Sequence, residues 1–276
     1  MSALRATFVG GGNMATALIG GLVARGAADA QFRVIEPSAT QRDRLRARYA
    51  GVHLHDAVTA GAVSDVDVVV LAVKPQHLRD AAAALAPHRD ALPLVLSIAA
   101  GIRIGDLARW LDGHRRIVRA MPNTPALIGR GISGVYADPS VDAAARAVAA
   151  EVLDAAGEVV WLDAEQSLDA VTGISGSGPA YVLYFIEALE QAAIEQGFDR
   201  AAARRLAYAT FAGAVALAQG SSDEPATLRA NVTSKGGTTE RGLQVLDARG
   251  VAHALRDAVA AATARARELG DEFGKP

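Results

Sequence analysis

The sequence contains no cysteine and only three lysines, against 25 arginines. The absence of cysteine excludes disulfides, thiolate nucleophiles and cysteine-based metal sites, and it favours a cytoplasmic protein. The lysines are Lys74, Lys235 and Lys275, so lysine-dependent chemistry has very few available positions.

Other features are also lacking. The net charge is −2 and no basic tract occurs, which argues against a nucleic-acid partner. No apolar run reaches the roughly 18 residues of a membrane span. The N-terminal stretch MSALRATFVGGGN lacks the apolar region of a secretion signal. The six histidines show no metal-ligand spacing, so we expect no metal.

Half of the sequence is nevertheless apolar, 51% of 276 residues, which is enough for one large or two ordinary domains. In the first 163 residues, short β-branched runs alternate with alanine-rich helical stretches. The predicted strands are Ala6–Gly10, Phe32–Ile35, Asp67–Val73, Leu94–Ile98, Arg116–Arg119, Gly134–Tyr136 and Val159–Leu162. The predicted helices are Met14–Ala24, Thr40–Tyr49, Leu78–Ala84 and Val141–Ala156. This alternation predicts an α/β domain with a parallel sheet.

After Asp163 the strand signals stop, and helices are predicted throughout, with breaks near Gly176, Gly197, Gly220, Gly236 and Gly250. The stretch 206–218 carries no charge at all. A helix that is apolar all round must be buried, and a domain of about 110 residues has difficulty surrounding one. We therefore expect a second subunit to cover this helix.

The N-terminal stretch ATFVGGGNMATALIGGL reads as strand, turn and helix, with Gly10, Gly12 and Ala15 in the pattern G-x-G-x-x-A. The first glycine permits a tight turn, the second permits close approach of a pyrophosphate, and the helix N-terminus supplies donors. The surrounding elements are those of a dinucleotide-binding unit, which makes a chance glycine turn the weaker interpretation.

Three later segments are expected to complete the coenzyme site. Glu36 ends the second strand, where an acid often binds the adenosine ribose, and this favours NAD(H). Ser38, Arg42 and Arg44 could instead hold a 2′-phosphate, so the choice between NADH and NADPH stays open. The turns AVKP and AMPNTPA follow strands at the same edge of the sheet. The expected coenzyme-binding residues are Gly10, Gly11, Gly12, Asn13, Met14, Glu36, Ser38, Ala72, Val73, Lys74, Pro75, Met121, Pro122 and Asn123. For Asn123, a bond to the nicotinamide half and a local turn are equally favoured.

Several stretches together resemble the pyrroline-5-carboxylate reductase family: FVGGGNMATALIGGL, LAVKPQ, SIAAGI, RAMPNTPALIGRG, DAVTGISGSGPAYV and the GGTT of NVTSKGGTTERGL. The resemblance implies a Rossmann domain over residues 1–163 and an all-α dimerisation and substrate-binding domain over residues 164–276. It also implies a homodimer or higher homo-oligomer in the cytoplasm. The implied reaction is hydride transfer from NADPH or NADH to the C=N bond of 1-pyrroline-5-carboxylate, which gives L-proline.

The stretch around GGTT is the predicted substrate site. Gly236 and Gly237 allow backbone amides to converge on an anion, and Thr238 opens a helix with free donors. The resemblance places the substrate carboxylate at Ser234, Gly237 and Thr238, and it places the hydroxyl of Thr239 at the ring nitrogen as the catalytic group. A helix cap alone would also explain these residues.

Some positions depart from the family pattern. Lys235 replaces a usual proline, Ser222 lies near a position that is acidic in some relatives, and Glu36 is unusual at its position. The serines of SGSGPAYV are expected to border the pocket without a chemical role. Two alternatives remain. A β-hydroxyacid dehydrogenase would need a lysine that residues 163–234 lack, and a coenzyme-sensing regulator would not need the second turn.

Overall fold

The computed structural model describes residues 4–275, which divide into two compact units. The sheet unit comprises residues 4–177 and 260–275, and the helical unit comprises residues 178–259. The chain therefore leaves the sheet unit after Ser177. The domain boundary predicted after Asp163 stays a prediction.

One eight-stranded sheet forms the centre of the sheet unit, in the order β3-β2-β1-β4-β5-β6-β7-β8. The strands are β1 Ala6–Val9, β2 Phe32–Ile35, β3 His53–His55, β4 Val68–Leu71, β5 Leu94–Ser97, β6 Ile117–Met121, β7 Gly131–Ala137 and β8 Gly157–Trp161. All seven predicted strands are present, and β3 adds an edge strand. The predicted α/β class is confirmed.

The sheet is parallel except at one pairing. β7 runs antiparallel to β6, with Val118 opposite Ala137 and Met121 opposite Gly134. The linker between these two strands contains only a 3-10 turn, Thr124–Ile128, and it is too short for the crossover that parallel neighbours need. The predicted parallel sheet therefore contains one antiparallel pairing.

Helices cover both faces of the sheet. They are α1 Asn13–Ala24, α2 Ala39–Arg48, α3 Ala60–Val63, α4 Pro75–Leu85, α5 Ile104–Trp110, α6 Ala143–Asp154 and α7 Ser167–Val171, followed by a π-helical turn at Thr172–Gly176. Shorter 3-10 turns lie at Asp29–Gln31 and Ala86–Ala91. Along β4, Val68 and Val70 pack on the side of α1 and α6, whereas Val69 and Leu71 pack on the side of α4 and α5. This double burial explains why DVVVLAV is apolar throughout.

The helical unit contains α8 Gly178–Glu195, α9 Arg200–Gln219, α10 Pro225–Asn231, α11 Thr238–Ala248 and the start of α12 Val251–Phe273. Its predicted breaks are confirmed. Gly197, Gly236 and Gly250 each adopt a positive φ between helices, a conformation in which glycine carries no steric penalty. Within the described residues 164–275, no strand follows β8.

The uncharged stretch 206–218 lies inside α9, and it is not buried within a single chain. Leu206, Tyr208, Val215 and Leu217 are about half exposed, and only Ala203 and Ala207 of this helix are buried. The surface that the sequence predicts to be covered is therefore left for another molecule. Among the described residues, none of the helices combines the length and hydropathy that a membrane span requires.

Candidate active site

The glycine turn between β1 and α1 is shaped by its neighbours. Gly10 has φ +97°, and a Cβ atom there would lie 2.8 Å from the carbonyl oxygen of Ala72. Gly11 is equally confined, because its Cβ would lie 2.6 Å from Leu45 Cδ1. Neither position can carry a side chain without displacing neighbours.

Gly12, in contrast, faces open space. A Cβ atom at this position would meet no protein atom within 4 Å. Gly12 is the N-cap of α1 and provides no side-chain cap, and the amides of Asn13 and Met14 have no acceptor within residues 4–275. An open helix N-terminus with free amides fits the pyrophosphate of a dinucleotide.

Glu36 follows β2 beside this turn. Its Oε2 accepts a hydrogen bond from the Gly11 amide at 2.9 Å, and its Oε1 accepts one from the Ser38 amide at 2.9 Å. Ser38 in turn is the N-cap of α2, with its hydroxyl 3.4 Å from the Gln41 amide. On the adjacent strand end, burial lowers the pKa of His55, with a further contribution from Arg33, so this imidazole is neutral at pH 7.

The AVKP turn forms the next part of the same edge. The Ala72 amide donates to the Val9 carbonyl at 2.8 Å, which brings β4 directly beside the glycine turn. Lys74 is the exposed N-cap of α4, and Pro75 occupies the first turn of that helix, where its missing N–H costs nothing. The Lys74 ammonium is therefore available to a ligand at this edge.

Asn123 follows β6 and is only 8% exposed. Its Oδ1 accepts from the Ile132 amide at 3.0 Å, and its Nδ2 donates to the Ser175 carbonyl at 3.0 Å. The side chain thus ties β6 to β7 and to the π-helical turn. It does not form a local turn with its own backbone, which was the alternative interpretation, and its predicted contact with the nicotinamide half stays a prediction.

The predicted substrate turn lies in the helical unit and is largely exposed in the single chain. The Gly236 amide donates to Glu240 Oε2 at 2.7 Å, and the Gly237 amide donates to the Ser234 carbonyl at 3.0 Å. These two amides therefore hold the turn together. The donors without an acceptor among the described residues include the amides of Thr238 and Thr239, at the start of α11.

The structure brings the residues that follow β1, β2, β4 and β6 together, because these parallel strands end at one edge of the sheet. Residues 234–239 belong to the other unit. Two residues that hold these turns in place were not predicted from the sequence. Gln41 Nε2 donates to the Gly11 carbonyl at 2.6 Å, and Glu240 accepts from the Gly236 amide. Glu240 is the third residue of its helix, a position where an acidic side chain often accepts from a backbone amide at the helix start, and this position could have indicated it. Among residues 4–275, no cluster of metal-ligating side chains occurs.

Comparison with known proteins gives two family matches. Residues 165–269 match the family described as pyrroline-5-carboxylate reductase dimerisation, and residues 5–101 match that described as NADP oxidoreductase, coenzyme F420-dependent. A pyrroline-5-carboxylate reductase from Pseudomonas aeruginosa is 45% identical, and the match covers 100% of both chains. The chain belongs to the pyrroline-5-carboxylate reductase family.

Other members of this family are also similar to the chain over nearly its whole length. The reductase from Pasteurella multocida is 38% identical, with 98% of each chain covered. The reductase structure from Coxiella burnetii has a TM-score of 0.91 and 35% identity, covering 97% of this chain and 99% of that one. A Plasmodium falciparum pyrroline carboxylate reductase with NADP bound has a TM-score of 0.85 and 27% identity, covering 98% and 99%.

Membership in the pyrroline-5-carboxylate reductase family confirms the resemblance found in the sequence. It also confirms the order of a Rossmann-type region followed by helices, and the helical region matches a dimerisation domain. The homo-oligomer expected from the uncharged helix is therefore confirmed. The individual site residues stay predictions, and they are taken up below.

Proposed function

We propose that this chain catalyses the reduction of 1-pyrroline-5-carboxylate to L-proline with NADPH or NADH. The observation that carries the proposal is the full-length match to a pyrroline-5-carboxylate reductase at 45% identity. The open N-cap at Gly12 and the free amides of α1 support the coenzyme part of the proposal.

The coenzyme would be held at the edge formed by the glycine turn, Glu36, the AVKP turn and the residues that follow β6. When bound, the reduced nicotinamide supplies the hydride that adds to the imine carbon. The amides of Asn13 and Met14 and the dipole of α1 favour the pyrophosphate. The Lys74 ammonium, exposed at the N-cap of α4, adds positive charge at this edge.

The substrate carboxylate would be bound by the turn before α11. Its available donors are the amides of Thr238 and Thr239, together with the hydroxyls of Ser234 and Thr238. Holding the carboxylate fixes the orientation of a small ring, and orientation supplies a large part of the rate. Gly236 and Gly237 contribute by shaping the turn, since their own amides are engaged internally.

Thr239 is the proposed catalytic residue. Its hydroxyl would bond the ring nitrogen, which carries a proton in the protonated imine, so that hydride addition to the imine carbon gives the secondary amine of L-proline without a further proton. The substrate imine is electrophilic once protonated, so the protein needs to add only modest acid assistance beyond that hydroxyl.

The test is an assay of the purified protein with 1-pyrroline-5-carboxylate, following NADPH and NADH absorbance separately and measuring L-proline. We expect coenzyme oxidation with stoichiometric proline formation. A folded dimeric sample that oxidises neither coenzyme would contradict the proposal and favour a coenzyme sensor. Turnover of a β-hydroxyacid with oxidised coenzyme would favour the dehydrogenase alternative.

A cytoplasmic location is also part of the proposal, and the cysteine-free sequence supports it. Cell fractionation checks it, since recovery of the protein in the periplasmic or membrane fraction would contradict it.

A further inference from the structure

Glu36 joins two turns that would both touch a dinucleotide. One carboxylate oxygen accepts from the Gly11 amide and the other accepts from the Ser38 amide, each at 2.9 Å. A carboxylate that binds the ribose diol must offer its oxygens to two hydroxyl groups. In this chain, each oxygen already accepts one hydrogen bond from a backbone amide, so a ribose hydroxyl would have to share that oxygen with the protein's own donor.

The Gly11 peptide groups are held from both sides. Its amide is bound by Glu36, and its carbonyl oxygen accepts from Gln41 Nε2 at 2.6 Å. The Gly11 carbonyl and the Gly12 amide belong to one planar trans peptide, so they point in opposite directions. The bond to Gln41 on α2 therefore aims the Gly12 N–H away from α2.

Packing reinforces this orientation. Gly11 has no room on the α2 side, since a Cβ atom would lie 2.6 Å from Leu45 and 3.2 Å from Val34. Gly12 has open space where Gly11 has none. The turn is thus fixed against α2 and presents its free donors to the side on which the pyrophosphate would bind.

Arg42 supports the same segment through the backbone. Its Nη1 donates to the Glu36 carbonyl at 2.7 Å and to the Pro37 carbonyl at 2.8 Å. The Glu36 carboxylate itself is stabilised by its two amide donors.

We propose that Glu36 is a positioning residue that fixes the glycine turn for the pyrophosphate of either coenzyme, and that it does not select NADH by binding the ribose diol. The proposal rests on the proposed use of NAD(P)H by this chain. It predicts that loss of the hydrogen bonds of Glu36 weakens the binding of NADPH and of NADH by the same factor.

The decisive variant is Glu36→Gln. A glutamine amide has one acceptor oxygen, and its NH2 group would face a backbone N–H donor, so one of the two bonds is lost. We expect the Kd of NADPH and that of NADH, measured by fluorescence titration in the absence of substrate, each to rise about tenfold. We expect their ratio to stay within about twofold of the wild-type ratio.

A second variant covers the case in which Glu36→Gln fails to fold. Gln41→Leu removes the donor to the Gly11 carbonyl without changing the charge. It should also weaken the binding of both coenzymes by equal factors. Tyr49→Phe is the matched control, because the Tyr49 hydroxyl donates to the Thr16 carbonyl at 3.1 Å, away from the turn. This control should lower the Tm slightly and leave both Kd values unchanged.

Two results would overturn the proposal. The first is a weaker affinity for NADH with a stronger affinity for NADPH in Glu36→Gln, which is the signature of a ribose-binding acid. The second is an unchanged affinity for both coenzymes. Hydrogen exchange of the Gly11 amide is independent of the proposed function. It should accelerate in Glu36→Ala, which removes both acceptor oxygens, even if the wild-type protein proves unable to reduce the imine, and unaltered exchange would show that the brace does not exist.

Discussion

The sheet unit and the helical unit differ in how they bury apolar side chains. The sheet unit contains two large clusters, one on each face of the sheet, and residues such as Phe8, Phe32 and Leu96 are completely buried. In the helical unit, the buried apolar residues among those described are Ala203 and Ala207. Since burial of apolar surface is the main favourable term in folding, the first unit has its own stabilising core and the second lacks one.

The comparison extends to the two turns that are proposed to bind ligands. The glycine turn is fixed by Glu36, Gln41 and the packing of Gly11 inside its own unit. The turn at residues 234–239 is largely exposed, and its fixed contacts are local ones along the chain. Coenzyme binding should therefore depend on one chain alone, whereas substrate binding should depend on the assembled oligomer.

The largest expected effect comes from Leu217→Asp, in the uncharged part of α9. Leu217 is 58% exposed in the single chain, and a charge at this position would be costly to bury against a partner. We expect light scattering to show monomers and the reductase activity to fall by more than about a hundredfold. NADPH affinity should stay within about twofold of wild type, because its proposed site lies in the unit that has its own core.

The control for this variant is Ala83→Asp, an equivalent change on the exposed side of α4. It should leave the oligomer and the activity intact. A fully active monomer of Leu217→Asp would refute the idea that the helical unit needs its partner, and loss of coenzyme binding together with the dimer would refute the independence of the sheet unit.

A smaller effect is expected from Gly10→Ala and Gly12→Ala, which test the sheet unit by itself. Alanine at position 10 must adopt a positive φ and meets the Ala72 carbonyl, so the apo protein should lose about 1–3 kcal/mol of unfolding free energy, and it should bind coenzyme poorly. Alanine at position 12 has φ −72° and open space, so stability should persist while coenzyme affinity falls. Thermal denaturation and coenzyme titration distinguish the two variants. An equal loss of Tm in Gly10→Ala and Gly12→Ala would contradict the prediction.

Local patterns explain how far the sequence predicts the fold. β2 and the start of α1 follow from β-branched runs and a glycine turn, and they agree with the structure to within one residue. β7 was predicted as three residues and spans seven, because Gly131, Ser133 and Gly134 weaken its strand signal while pairing with two neighbours stabilises it. The seven-residue helix α5 was missed because it is too short to show a clear period.

The candidate site likewise contains some features that the sequence could predict and others that it could not. The glycine turn could be predicted because its geometry depends on adjacent residues. The bracing role of Glu36 could not, because its partner Gly11 lies 25 residues away and the bond depends on how two strands pair. The bridge of Asn123 to Ser175 spans 52 residues and was missed for the same reason.

The third prediction concerns the chemistry of the exposed turn. Thr239→Val keeps the shape of the side chain and removes its hydroxyl, so kcat/KM should fall by about tenfold to a hundredfold. NADPH affinity and the oligomer should not change, because the coenzyme site lies in the other unit. Thr238→Val is the comparison variant. It should raise mainly the KM, since its hydroxyl is assigned to the carboxylate, and unchanged kinetics of Thr239→Val would remove the catalytic role.

The smallest effect is expected at Glu240, whose Oε2 holds the Gly236 amide at 2.7 Å. Glu240→Ala releases this amide and loosens the turn, which should raise the KM for the imine substrate by about threefold to tenfold, with little change in kcat. Glu240→Gln keeps an acceptor oxygen and removes a negative charge next to a site for an anion, so its KM should equal or fall below that of wild type. If both variants raise the KM equally, the charge of Glu240 and not its hydrogen bond shapes the turn. In that case the helical unit fixes its binding site by electrostatics, in contrast to the hydrogen-bonded brace of the sheet unit.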